Sequence, residues 1–200
     1  MIALHGVGSN AHDMAAALQP LNAVAEVIAL PGPELFQGTA SGRQWFSVMG
    51  VTEENRPART AAALPPLLAR LDQLASQRNI PRDELIILGF SQGAIIALAA
   101  VAGGYHRGRA IIIAGRLAVP VSSGLGREAE LLLIHDADDS VMPSGLSNDA
   151  AAALRKAGAE IEIARTVGVG HRIGAPTIAA IDAWLTRHVK GAHTSIELQG

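Results

Sequence analysis

The chain has 200 residues, 49% of them hydrophobic and 17% charged, with a formal net charge of −2 and no cysteine. That length and apolar content predict one globular domain with a sizeable buried core. The near-neutral charge supplies no basic footprint for nucleic acid or an anionic membrane, and the missing cysteines exclude disulfides, thiolate metal sites and thiol nucleophiles.

Ile2–Leu4 opens the chain as a short apolar run, and residues 4–13 follow as LHGVGSNAHD. Within them, residues 6–11 fit G-x-G-x-x-[GA], the spacing of a dinucleotide-binding turn. The same stretch, with His5 ahead of its first glycine, also suits the oxyanion loop of a serine hydrolase. A helical pattern is predicted at 11–19 and a strand over Val24–Leu30, broken by Glu26. Residues 31–56 carry glycines, prolines and the aromatic pair Trp45-Phe46, and are expected to form a long loop over the active-site face. A helix over 57–78 should be bent or interrupted at Pro65-Pro66.

Strand runs then recur at Leu85–Leu88, Ala110–Ala114, Leu131–Ile134 and Ile161–Ala164, separated by helical patterns at 92–102, 144–157 and 176–189. Because the strand runs lack polar alternation, both their faces should be covered. The prediction is an α/β fold in one domain, 1–190, with a mainly parallel sheet of about six strands and helices on both faces. The polar, aperiodic residues 191–200 are expected to be a flexible tail. The longest apolar run, 94–102, falls short of the ~20 residues a membrane span needs, so no stable membrane insertion is expected. With no cysteine and no basic leader after Met1, a cytoplasmic location is expected.

The strongest chemical signal is Gly89-Phe90-Ser91-Gln92-Gly93, a G-x-S-x-G match between a strand run and an all-apolar helix. A helix without a polar face must be buried, so Ser91 is placed on a sharp turn between two core elements. A serine hydroxyl needs a base, and the base needs a carboxylate to orient it. Both follow in the order this motif requires. His135-Asp136-Ala137-Asp138-Asp139 comes after one strand run, and Gly168-Val169-Gly170-His171 after the next. His171 is the histidine of the second half on a Gly-flanked loop, whereas His188 lies late in a helical pattern. Among the three aspartates the residues alone leave the acid open.

Taken together, Leu4-His5-Gly6-Val7-Gly8, the serine motif, the His135 to Pro143 segment and Gly170-His171 resemble the phospholipase/carboxylesterase family of the α/β-hydrolase superfamily. Residues 42–56 resemble a bacterial esterase branch of it. The resemblance implies a serine hydrolase cleaving carboxylic esters (small acyl esters, thioesters or lysophospholipids) without a cofactor. The family pattern His-Gly-x-x-Asp implies Asp139 as the acid, with Asp138 as the fallback; here Asp136 stands where the pattern has Gly. The oxyanion donors would be the backbone N–H groups of Gln92, the residue after the nucleophile, and, by resemblance, of Val7. Trp45, Phe46 and Met49 are candidates for an acyl-pocket wall, with anchoring of the loop as the competing role for the aromatics. Arg43, Arg56 and Arg59 are expected to pair with Glu53 and Glu54. Dimerisation rests on the resemblance alone.

Two rivals remain. A dinucleotide site wants a carboxylate at the end of the second strand, and Glu26 opens that run instead. A non-catalytic hydrolase-fold protein that binds a small molecule would need no triad, yet all three residue types occur in order. No compact His, Asp and Glu set suggests a metal.

Overall fold

The computed structural model describes residues 1–189, and in it each apolar strand run divides its side chains between two cores. In chain order the elements begin β1 (Ile2–Leu4), α1 (Ala11–Ala17), β2 (Ile28–Leu30), β3 (Glu34–Leu35), β4 (Arg43–Gln44), α2 (Arg56–Ala62) and α3 (Leu64–Arg78). They continue with β5 (Ile87–Phe90), α4 (Gln92–Ala102), β6 (Ala110–Ile113), β7 (Glu130–Asp136), α5 (Gly145–Lys156), β8 (Glu160–Thr166) and α6 (Ala175–His188).

Side chains alternate across a strand, so Ile2, Leu4, Ile87, Ile112, Leu131 and Leu133 face one core. Ala3, Leu88, Ile111, Ile113, Leu132 and Ile134 face the other. Residues of α3, α4 and α5 fill the first core, and those of α1 and α6 the second. The six-stranded sheet runs β2-β1-β5-β6-β7-β8 with every pair parallel, as the unbroken apolar runs predict. Every residue of α4 is buried, which accounts for its lack of a polar face. Among the described residues, no helix is long and apolar enough to cross a membrane.

Several boundaries depart from expectation, among them β5, which covers Ile87–Phe90 rather than Leu85–Leu88. The run from Val24 contributes only Ile28–Leu30 to the sheet, because this edge strand has just three partners, Ile2 to Leu4, to pair with. The helix expected over 57–78 is divided at Ala63, and Pro65-Pro66 occupy the first turn of α3. A first-turn proline lacks only an N–H that would have no intrahelical acceptor, so the pair interrupts the expected helix by starting a new one. Strands β7 and β8 extend past their apolar centres because their pairing continues from Glu130–Glu160 to Asp136–Thr166.

The strand order sets the site. The chain moves from β1 outward to β2, then crosses back to β5 on the other side of β1. The loops leaving the carboxyl ends of β1 and β5 therefore start side by side, with Leu4 paired to Gly89, and open a crevice at this reversal.

Candidate active site

Ser91 sits at the tip of the β5–α4 turn with φ 52° and ψ −115°, a strained backbone for a residue with a side chain. The strain persists because the turn is locked on both sides. A Cβ on Gly93 would collide with the carbonyl oxygens of Leu4 and His5, and one on Gly89 with that of Gly93. The two glycines of the motif thus allow α4 to start directly against β1 and β5.

His171 reaches Ser91 from the loop after β8. Its Nε2 lies 2.9 Å from Ser91 Oγ, and its Nδ1 lies 2.8 Å from Asp139 Oδ2. Asp139 is buried, and its other oxygen accepts the N–H groups of Val141 at 2.9 Å and Met142 at 2.8 Å. Burial pushes the Asp139 pKa up, but the bonds from Met142, His171 and Val141 outweigh it and hold the carboxyl below its ordinary value. The Phe90 ring lies against the His171 imidazole with centroids 5.0 Å apart, a contact the sequence did not announce.

The other two aspartates shape the histidine loop. Asp138 Oδ2 accepts the Gly168 N–H at 2.8 Å. Buried Asp136 accepts the Thr166 hydroxyl at 2.7 Å and the N–H groups of Val169 at 3.1 Å, Gly170 at 3.0 Å and Asp138 at 3.0 Å. Here too burial raises the pKa, and the four donated bonds more than reverse it. The signal for this role was the carboxylate standing where the family pattern has Gly. His135 bonds Ser147 Oγ and the Met142 carbonyl, so it braces the acid loop from behind. With Ser147 only 1% exposed within α5, that pair offers no access to a substrate.

The loop after β1 completes the crevice. Val7 shares a cavity of about 380 Å³ with Ser91, Gln92, Phe46 and Ile95. Among the described residues, the Val7 N–H has no backbone acceptor. The Gln92 N–H is the first of α4, in a turn whose donors have no intrahelical partner. His5 is fully buried, donating through Nδ1 to the Gly6 carbonyl at 2.7 Å and accepting the Gly32 N–H at Nε2 at 2.9 Å. That pairing requires the neutral ring, and burial accordingly holds its pKa down.

The three pocket candidates part ways. Phe46 borders the Ser91 cavity. Trp45 does not: its indole N–H donates to the His5 carbonyl at 2.9 Å, and the ring borders a separate apolar recess beside Pro31 and Leu67. Met49 is 69% exposed and lies on the outside of the loop. Trp45 and Phe46 thus border different recesses, and the aromatic pair does not line one wall.

Of the three arginines only Arg56 meets Glu53, a carboxylate it shares with Arg116. Arg59 binds the carbonyls of Ser47 at 3.0 Å and Met49 at 2.8 Å, and Arg43 that of Pro33 at 3.0 Å. Outside the short β3–β4 ladder the loop leaves carbonyl acceptors free, and guanidinium forks satisfy them.

Residues 1–189 match the model of the Phospholipase/Carboxylesterase family. The chain is 33% identical over 178 residues to Esterase YpfH of Escherichia coli (strain K12), an alignment covering 86% of this chain and 75% of that protein. The crystal structure of esterase PE8 superposes with a TM-score of 0.80 at 26% identity, covering 93% of this chain and 90% of that one. The Bacillus cereus carboxylesterase shares the fold with a TM-score of 0.78 at 18% identity, covering 94% of this chain and 87% of that one.

Proposed function

The chain belongs to the phospholipase/carboxylesterase family, a carboxylesterase-type hydrolase with the α/β-hydrolase fold, and from that premise we propose that Ser91, His171 and Asp139 hydrolyse carboxylic esters through an acyl-enzyme. The observation that carries the reading is the unbroken hydrogen-bonded path from Ser91 Oγ through both ring nitrogens of His171 to Asp139 Oδ2.

In the first half-reaction His171 Nε2 accepts the Ser91 proton as Oγ attacks the ester carbonyl carbon. Asp139 holds Nδ1 protonated and stabilises the imidazolium. The negative charge gathering on the carbonyl oxygen is met by the N–H groups of Val7 and Gln92, each such donor being worth about 3 kcal/mol in the transition state. The bond from the acyl carbon to the leaving oxygen, or to sulfur in a thioester, then breaks, and that leaving atom takes the proton from Nε2. In the second half-reaction water replaces the alcohol, giving the free acid and restoring Ser91. The same steps serve an oxygen ester, a thioester or a lysophospholipid.

The test is labelling with a fluorophosphonate followed by peptide mapping, together with turnover of 4-nitrophenyl acetate by Ser91→Ala. An adduct on Ser91 and loss of turnover are expected. Full activity in Ser91→Ala would overturn the mechanism, and an unlabelled Ser91 in the folded protein would favour a non-catalytic binder.

A further inference from the structure

Two guanidinium groups, those of Arg56 and Arg116, border the cavity that holds Ser91, and both also border a neighbouring recess where Glu53 lies. Glu53 Oε1 and Oε2 accept from Arg116 Nη1 at 3.0 Å and Nη2 at 2.7 Å, and Oε1 also pairs with Arg56. Two cations against one anion leave a net positive charge. Among the described residues no carboxylate borders the Ser91 cavity itself, whose remaining wall near the arginines is apolar: Phe46, Val48, Val51 and Ile95. The side chains of Arg56 and Arg116 are only 17% and 23% exposed, so water screens their charge less than on an open surface. Arg116 Nε is buried without an acceptor among the described residues.

The cavity also has a side. His171 must hand its proton to the leaving oxygen from Nε2, yet His171 is not among the residues bordering this cavity. With the leaving group on the histidine side, the acyl group would occupy the cavity with the arginines.

We infer, resting on the hydrolase reading above, that the preferred substrates are esters whose acyl group ends in an anion, half-esters of dicarboxylic acids, with the free carboxylate held by Arg56 and Arg116. Such a half-ester consumes one water, its ester carbon–oxygen bond breaks, and the alcohol, the dicarboxylate and one proton are released. The positive charge contributes to binding the far end of the acyl chain, and the apolar wall accommodates the methylenes between.

The experiment compares mono-4-nitrophenyl adipate with its neutral methyl ester by kcat/KM in the unaltered protein, in Arg116→Gln and in Arg56→Gln. A preference of about tenfold or more for the anionic ester is expected, the magnitude of a charge-assisted hydrogen bond. It should fall toward unity in either variant. In the unaltered protein the preference should shrink as salt is raised, a reading independent of how the variants fold. Equal kcat/KM for the two esters in the unaltered protein overturns this inference alone, as does a preference that neither salt nor substitution moves. Failure to turn over either ester while 4-nitrophenyl acetate is hydrolysed also overturns this inference alone, and failure on all three overturns the hydrolase reading with it.

Discussion

The Gln92 side chain donates to the Phe46 carbonyl at 2.7 Å, across 46 positions of sequence. Its Oε1 accepts the Trp45 N–H at 2.9 Å, so one amide satisfies two buried backbone groups of the loop over 31–56. The residue whose backbone N–H is proposed to meet the oxyanion thus also fixes a wall of the cavity. In Gln92→Leu both loop groups lose their partner while the backbone N–H remains. Unfolding free energy should drop by about 2–6 kcal/mol, since each of the two stranded buried groups costs about 1–3. KM should rise by a larger factor than kcat falls, because the wall loosens more than the donor moves. Denaturant titration and steady-state kinetics read the two effects separately; unchanged stability would mean that the loop is held elsewhere.

A different prediction concerns Gly93, where α4 touches β1. A methyl group there meets the carbonyls of Leu4 and His5, which are backbone and cannot swing away. Gly93→Ala should cost at least about 3 kcal/mol, the upper range of overpacking. It should also push the Val7 loop away from Ser91. Soluble variant with near-native melting temperature would contradict the close approach.

Much of this geometry was legible in the sequence, and what was not has a common cause. Strand runs, the buried helix and the Ser91 turn follow from local patterns, because apolar continuity and G-x-S-x-G act over short distances. Which aspartate bonds His171 is not legible from the residues alone, since Asp136, Asp138 and Asp139 are chemically alike and that hydrogen bond spans 32 positions. Trp45 and Phe46 look like one aromatic patch in sequence, but their contacts are set by His5 and Gln92 far upstream and downstream. Arg116 gave no signal at all: its meaning arises only when Glu53, 63 positions earlier, is brought beside it.

The assignment of the acid separates two neighbouring carboxylates. Asp139 bonds His171, whereas Asp138 bonds the Gly168 N–H. In Asp139→Asn the side chain no longer fixes the imidazole tautomer, and kcat should fall by about 10³- to 10⁴-fold. In Asp138→Asn the amide oxygen still accepts from Gly168, and kcat should fall by less than about tenfold, with loss of a charge-assisted bond as the main change. Initial-rate measurements on 4-nitrophenyl acetate compare the two. A larger loss in Asp138→Asn would reverse the assignment.

Stability should decline in two steps as the solution is acidified. Burial holds the pKa values of His5 and His106 below their ordinary value, so the folded chain keeps both rings neutral. An unfolded histidine takes up a proton near about pH 6.5, and below that the unfolded chain binds protons the folded one does not. Stability is then lost as pH falls from there toward the depressed folded values. Asp136 and Asp139, held below their ordinary value by the hydrogen bonds they accept, supply the second step. Their contribution is present above the unfolded value of about 3.9 and is lost as pH falls through their folded values. Urea titrations at intervals from about pH 8 to about pH 3 trace both steps. Replacing Asp136 with Asn should flatten the lower one while leaving the upper. A profile level between about pH 7.5 and about pH 5 would contradict buried, neutral imidazoles at positions 5 and 106.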